Sequence, residues 1–177
     1  ILISRLLGLP DPRAEGSRNP GATNVLRLGS KLGAVLTLAG DIAKGVLPVV
    51  AARWILDDPV LLTLAALGAF LGHLFPVYFR FEGGKGVATA LGVLAAIDWQ
   101  LASILIATWL VVAAMFRYSS LAALATAAAA PIYAFWLTGE PVFVALGVVL
   151  AALLFFRHSE NIRRLLCGNE SKIGKKN

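Results

Sequence analysis

Residues 31–56 read KLGAVLTLAGDIAKGVLPVVAARWIL, and this stretch decides the fold class. Between Lys31 and Arg53 its only charges are Asp41 and Lys44. Crossing the hydrocarbon core of a bilayer takes about 20 consecutive apolar residues in helix, and this run is long enough. Outward from it the same signal recurs at 60–79, 87–97, 101–116, 121–137 and 142–156, the fifth run carrying Pro131. The 87–97 run is short for a span; it starts inside the glycine cluster before it or is partly re-entrant. Residues 1–9 are apolar but too short to cross, and without a charged region and small-residue cleavage site they do not read as a signal peptide. They read as the tail of a truncated first helix. The expectation is an all-α, polytopic integral membrane bundle of seven transmembrane helices, forming a single domain over 1–177 with 157–177 as a basic cytoplasmic tail.

Composition leads to the same class. Hydrophobic residues make up 58% of the 177 and charged residues 15%, against about 25% charged in soluble domains. The mean hydropathy is +0.78. A soluble fold of this length has no interior large enough for that apolar surface. The net charge of +6 points to anionic lipid headgroups or anionic substrates rather than nucleic acid, because the basic residues fall between apolar runs. A lone cysteine, Cys167, excludes an intramolecular disulfide and offers no metal cluster.

Charge also orients the bundle. Loops retained in the cytoplasm keep Lys and Arg. With the 10–31 loop inside, alternation puts the glycine loop, the Arg117 turn and the tail inside as well. These segments hold Arg13, Arg18, Arg27, Lys31, Arg80, Lys85, Arg117, Arg157, Arg163, Arg164, Lys172, Lys175 and Lys176, which is 13 of the 16 basic residues. The opposite turns hold Asp57, Asp58, Asp98 and Glu140, with Arg53 nearby.

Three polar clusters on the basic side carry the candidate chemistry. In the first, Ser17, Asn19, Thr23 and Asn24 supply hydroxyls and amides beside Arg27, whose fork of donors suits phosphate. Thr23 or Asn24 serves equally well as a helix cap. In the second, Gly83, Gly84 and Gly86 flank Lys85, which reads as a backbone nest for an anion or as a flexible basic turn at the membrane surface. It is not a Walker A loop, since Val87 follows Gly86. In the third, His158 and Asn161 are three apart and share a helix face, with Glu170 beyond. His158 is placed to take a proton or orient a hydroxyl, or to sit as an interfacial histidine. His73, in an apolar stretch near Pro76, suits packing as well as function. Asp41 and Lys44 lie inside a span, where a lone charge costs several kcal/mol; they pair inside the bundle, either to fix helix register or to meet an ionic ligand.

Several schemes are absent. No H-E-x-x-H helix exists, two histidines and one cysteine make no usual zinc site, and Ser17 lacks a nucleophile elbow. Tyr78 follows His73, and Arg163 follows His158, where a His-x-x-x-x-Asp acyltransferase motif needs aspartate. Positioning and positive charge must carry any chemistry.

The strings GSRNPGATNVLRLG (16–29), DIAKG (41–45), GHLFPVYFRFEGGKGVATALG (72–92) and RHSENIRRLLCGNESKIG (157–174) resemble the bacterial acyl-phosphate-dependent glycerol-3-phosphate acyltransferases, the PlsY family. They cover about a third of the chain, in the family's order. The resemblance implies a seven-helix enzyme of the bacterial inner membrane, active site to the cytoplasm. It implies transfer of a fatty acyl group from acyl phosphate, not acyl-CoA, to the 1-hydroxyl of glycerol 3-phosphate, giving lysophosphatidic acid and phosphate. Acting as a monomer among membrane lipids, such an enzyme needs no cofactor and no metal. Carried over by position, Ser17, Asn19, Thr23, Asn24 and Arg27 contact substrate phosphates, Lys85 is the glycine-loop lysine, His158 and Asn161 lie near the acceptor glycerol, and Glu170 orders basic side chains. Arg18 stands where the family often has glycine, which implies an altered turn, and the family's opening Gly-Ser-Ile stretch has no counterpart here. The rival reading is a transporter or flippase for a phosphorylated solute or lipid. It would use the same loops and the Asp41–Lys44 pair, but needs a site near mid-depth between interrupted helices.

Overall fold

The computed structural model describes residues 1–174, and among them the regular structure is helical throughout. Lys175 and Lys176, counted above with the cytoplasmic charges, lie outside the described residues. In chain order the helices are α1 (Leu2–Leu6), α2 (Ala22–Arg27), α3 (Lys31–Arg53), α4 (Pro59–Leu74), α5 (Val87–Ile97), α6 (Trp99–Phe116), α7 (Ser119–Thr138), α8 (Pro141–Arg157) and α9 (Ser159–Leu166). Four segments are long and apolar enough to cross a membrane: α3, α4 with the turn that follows it, α6 and α7. Helices α8 and α9 qualify together as a fifth, bent by 63° at their junction. The eleven-residue α5 is apolar but shorter.

Local chemistry places the boundaries. Ser30 caps α3 by accepting from the Gly33 amide at 2.9 Å. Asp58 caps α4 through Val60 N, 2.6 Å, with Pro59 in the first turn, where its missing N–H costs nothing. Asp98 caps α6 through Gln100 N and Leu101 N at 2.7 and 2.9 Å. The second span was expected over 60–79, but α4 closes at Leu74. Phe75, just before Pro76, takes φ −129, as steric pressure from the following ring demands. A 3-10 turn, Val77–Phe79, follows, and Arg80 and Phe81 then adopt positive φ of 55 and 62. The first loop is also less irregular than its composition suggests, since it contains α2.

Helix α3 packs on α4 and α5, α5 on α6, and α7 between α6 and α8, while α8 returns to α4. Phe70, Val93, Leu101, Leu105 and Leu150 are almost fully buried at the centre. Between membrane helices the drive is close packing by small residues rather than hydrophobic transfer. The α3–α5 crossing shows it: a Cβ on Gly45 would strike the Thr89 carbonyl, and one on Gly92 the Ile42 carbonyl. Thr89 Oγ1 ties the same crossing by donating to Asp41 O at 2.8 Å.

The two ends of the bundle differ. Trp54, Trp99 and Trp136 are exposed at one end, the position of an interfacial aromatic belt. At the other end gather the 10–30 loop, the glycine loop, the Arg117 turn and the tail. Arg13 reaches Glu82 at 3.2 Å, Arg157 reaches the glycine loop, and Arg117 Nη2 donates to Ile173 O at 3.0 Å. The four basic segments therefore do meet at one end.

Candidate active site

Inside that end lies a cavity of about 770 Å³. Its polar wall includes Ser17, Asn19, Thr23, Asn24 and Arg27 from the first loop and α2, Lys85 and Gly86 from the glycine loop, and His158, Asn161 and Glu170 from the tail. Asp41 and His73 line it as well. Lys44 does not line it; its side chain is 60% exposed and pairs with Asp41 at 2.9 Å.

The first loop is folded around Asn24, which is buried. Its Oδ1 accepts from Ser17 N at 2.8 Å, and its Nδ2 donates to Pro12 O and Glu15 O at 2.8 and 3.0 Å. Both amide hydrogens are thereby spent on the loop, so Asn24 sets the Ser17 backbone. Neither Asn24 nor Thr23 caps α2, whose N-cap is Gly21; Thr23 Oγ1 lies 3.5 Å from Ser119 Oγ. Arg18 adopts φ 55, the left-handed conformation that glycine takes at lower cost. The strain of this turn is carried by the arginine.

The glycine loop differs from the expected nest. Gly83 and Gly84 are buried and absent from the cavity wall. Their carbonyls accept from Arg157 Nη2 at 2.8 and 3.1 Å, and the guanidinium also stacks over Phe75. A Cβ on Gly83 would collide with the carbonyls of His73 and Leu74, and one on Gly84 with the His73 ring. These two glycines allow close packing, while Gly86, at φ 89, opens α5 with that helix's N-terminus on the cavity. The first amides of a helix have no intrahelical partner, and together with the helix dipole they favour an anion.

Lys85 Nζ donates to Asn161 Oδ1. Asn161 Nδ2 donates to Glu170 Oε1 at 2.7 Å, Ser120 Oγ donates to the same oxygen at 2.7 Å, and Arg164 Nε donates to Oε2 at 2.7 Å. Burial, followed by repulsion from Arg164, brings the Lys85 ammonium down to about 8. Burial alone would raise Glu170, but the hydrogen bonds from Arg164, Ser120 and Asn161 hold its carboxyl below the ordinary value. The Glu170 carboxylate thus fixes the Asn161 amide with its oxygen towards Lys85. His158 is buried at the α8–α9 junction, and its Nδ1 lies 2.8 Å from Leu154 O. A carbonyl only accepts, so Nδ1 carries a hydrogen, and in the neutral ring Nε2 is left as an acceptor.

Below the polar wall the cavity turns apolar. Ala88, Leu91 and Ala95 form its floor on α5, Val35, Leu38 and Ile42 one side on α3, and Ile106, Trp109 and Leu110 the other on α6. Helices α3 and α6 each pack on α5 rather than on each other, which leaves a slot between them. A site for a phosphorylated amphiphile has this form: cations and amides at the top, a hydrocarbon groove beneath.

Sequence reading did not single out Ser120 or the clamp by Arg157. Two serines opening an otherwise alanine-rich helix at the basic end were the available signal for Ser120. Nothing local marks Arg157, because its partners lie more than 70 positions away.

Known proteins share this sequence pattern and fold. Residues 1–168 match the family described as glycerol-3-phosphate acyltransferase. A glycerol-3-phosphate acyltransferase of Thioalkalivibrio sulfidiphilus is 58% identical over 99% of this chain and 87% of its own length. One from Vibrio cholerae is 50% identical over 100% of this chain and 84% of its own. The crystal structure of PlsY, an integral membrane glycerol 3-phosphate acyltransferase, in its glycerol 3-phosphate form superposes with a TM-score of 0.93 at 40% identity, covering 98% of this chain and 86% of that one. The lysophosphatidic acid form gives 0.88 at 41% identity over the same shares. A multi-pass helical membrane protein whose polar groups converge on one pocket, this chain belongs to the glycerol-3-phosphate acyltransferase family, a family of membrane enzymes that includes PlsY.

Proposed function

We propose that this protein transfers a fatty acyl group from acyl phosphate to the 1-hydroxyl of glycerol 3-phosphate, releasing lysophosphatidic acid and inorganic phosphate. It works as a single membrane domain and a monomer, crossing the bacterial inner membrane seven times, with the cavity open to the cytoplasm. The observation that carries the reading is the continuity of one cavity from Arg27, Lys85 and the α5 N-terminus into the apolar groove. Two phosphates and one hydrocarbon chain fit those two parts. The positive-inside asymmetry supports the sidedness.

The chemistry asks little of the protein beyond placement. Acyl phosphate is already activated, so positive charge at the departing phosphate is the main demand, and Lys85 with the α5 amides supplies it. Arg27 and Ser17 hold the acceptor's phosphate. The glycerol oxygen attacks the acyl carbon, the acyl–phosphate bond breaks with its electron pair leaving on phosphate, and the hydroxyl proton passes to His158 Nε2. Holding both substrates in one pocket lowers the barrier by several kcal/mol.

The test is purified full-length protein in detergent with acyl phosphate and glycerol 3-phosphate, following phosphate release. Lysophosphatidic acid formed in equal amount is expected, with no product from acyl-CoA. Product from acyl-CoA alone would overturn the donor assignment. In the same assay, near-full turnover by His158→Ala would move the proton to the glycerol phosphate itself.

A further inference from the structure

We propose that Ala95 sets the length of the acyl chain this protein accepts, an inference that rests on the acyl-phosphate reading above. Leu91 and Ala95 lie on one stripe of α5, and the next position of that stripe is Asp98, which is spent on the α6 N-terminus at 2.7 and 2.9 Å. Beside Asp98, Trp99 is 71% exposed at the end of the bundle that carries the tryptophan belt. The groove is therefore bounded below by the far membrane interface, and Ala95 is the last apolar residue of its floor.

The depth fits a chain of defined length. Nine residues of helix separate Gly86 from Ala95, a rise of about 13 Å. An extended hydrocarbon with bonds of about 1.5 Å advances roughly 1.25 Å per carbon, so about ten carbons reach from the glycine loop to Ala95. Helix α5 is also about 16 Å long against about 27 Å for α6, and Asp98 joins the two directly at their far ends. The phosphate-binding end of α5 is thus set roughly 10 Å below the near end of α6, and a chain held there has no further depth to use. Longer chains must bend outward through the slot between α3 and α6. A methyl group at position 95 lets the chain run the full depth, and Ile106, about 12 Å from Asp98 along α6, lines the side of the groove through which longer chains bend.

The experiment uses full-length protein in detergent, saturating glycerol 3-phosphate, and acyl phosphates of eight to eighteen carbons. Wild type is compared with Ala95→Phe and Ile106→Ala. Ala95→Phe is expected to lower kcat/KM for sixteen and eighteen carbons at least fivefold, to leave eight carbons within twofold, and to leave KM for glycerol 3-phosphate unchanged. Ile106→Ala, on a side chain 45% exposed, is expected to raise relative activity towards eighteen carbons at least twofold. It also serves as the deciding variant if Ala95→Phe does not fold. A length profile unchanged in whichever variants fold, or a parallel loss at every length, would overturn the proposal. A wild type inert towards every acyl phosphate would instead overturn the donor reading on which it rests.

Discussion

The two ends of the bundle hold polar residues in different ways. At the tryptophan end, Asp58 and Asp98 each accept from amides two and three positions further on, and their role is finished within one turn of helix. At the basic end, Lys85 and Asn161, 76 positions apart, are joined, as are Ser120 and Glu170, 50 apart, and Arg157 and Gly83, 74 apart. Local bonds end helices. Bonds between distant residues cost loop-closure entropy to form, and a helix needs none of them for its own stability. Apart from Arg53, which donates to Ala96 O and Ile97 O at the tryptophan end, most of them gather at the basic end, and this marks the place where the fold positions side chains for chemistry.

Mutations at the two ends should therefore separate activity from stability. The largest effect expected is for Lys85→Met, which removes the half-buried ammonium: kcat/KM should fall by about 10² to 10³, the range for a lost electrostatic donor, with the protein level unchanged. Glu170→Gln places an amide against Arg164 and frees Asn161. Weakening hydrogen bonds to a buried carboxylate costs about 2 kcal/mol, so a drop in Tm of roughly 4–8 °C and loss of most turnover are expected by thermal unfolding and phosphate release. Asp58→Ala, at the other end, should cost about 1 kcal/mol through the lost cap and leave turnover at the wild-type value. Loss of turnover in that variant would break the comparison.

Proton binding at Lys85 sharpens the same contrast. Its folded-state value of about 8 lies below the ordinary 10.5. Between the two, the unfolded chain holds a proton that the folded chain has released, so the stability of the ligand-free protein should rise with pH across that window. The protonated form grips phosphate, so kcat/KM should fall tenfold per unit above pH 8. Stability and activity then move in opposite directions, and Lys85→Met should abolish the rise in stability. The smallest effect concerns Arg18, held at φ 55. Arg18→Gly should stabilise the protein by up to about 1 kcal/mol, measured as a small upward shift in Tm.

Hydropathy made the spans legible. It placed the 87–97 helix at its observed bounds and the other membrane segments within a few residues, apart from α4, where Pro76 turns the chain earlier than apolarity alone suggests. Charge asymmetry grouped the right four segments, and the cavity wall holds most residues singled out in them. What periodicity does not encode is which polar atoms are spent. Asn24 looked like a cap or a ligand; it lines the cavity and also staples the first loop. Gly83 and Gly84 looked like a nest and are packed away from the cavity wall. The fold-back that seats Glu170 against Ser120 and Asn161 leaves no trace in either segment's sequence, because it depends on where α7 and α9 stand relative to each other.

The central claim is that Lys85 and Arg27 grip two separate phosphates in one cavity. It is tested most directly by equilibrium binding of glycerol 3-phosphate and of a non-transferable acyl phosphonate to the full-length protein, separately and together. The two ligands should bind simultaneously. Lys85→Met should weaken the phosphonate at least tenfold, and Arg27→Ala should weaken glycerol 3-phosphate to a similar degree. Mutual exclusion of the two ligands, or wild-type affinity for both in the two variants, would contradict the account.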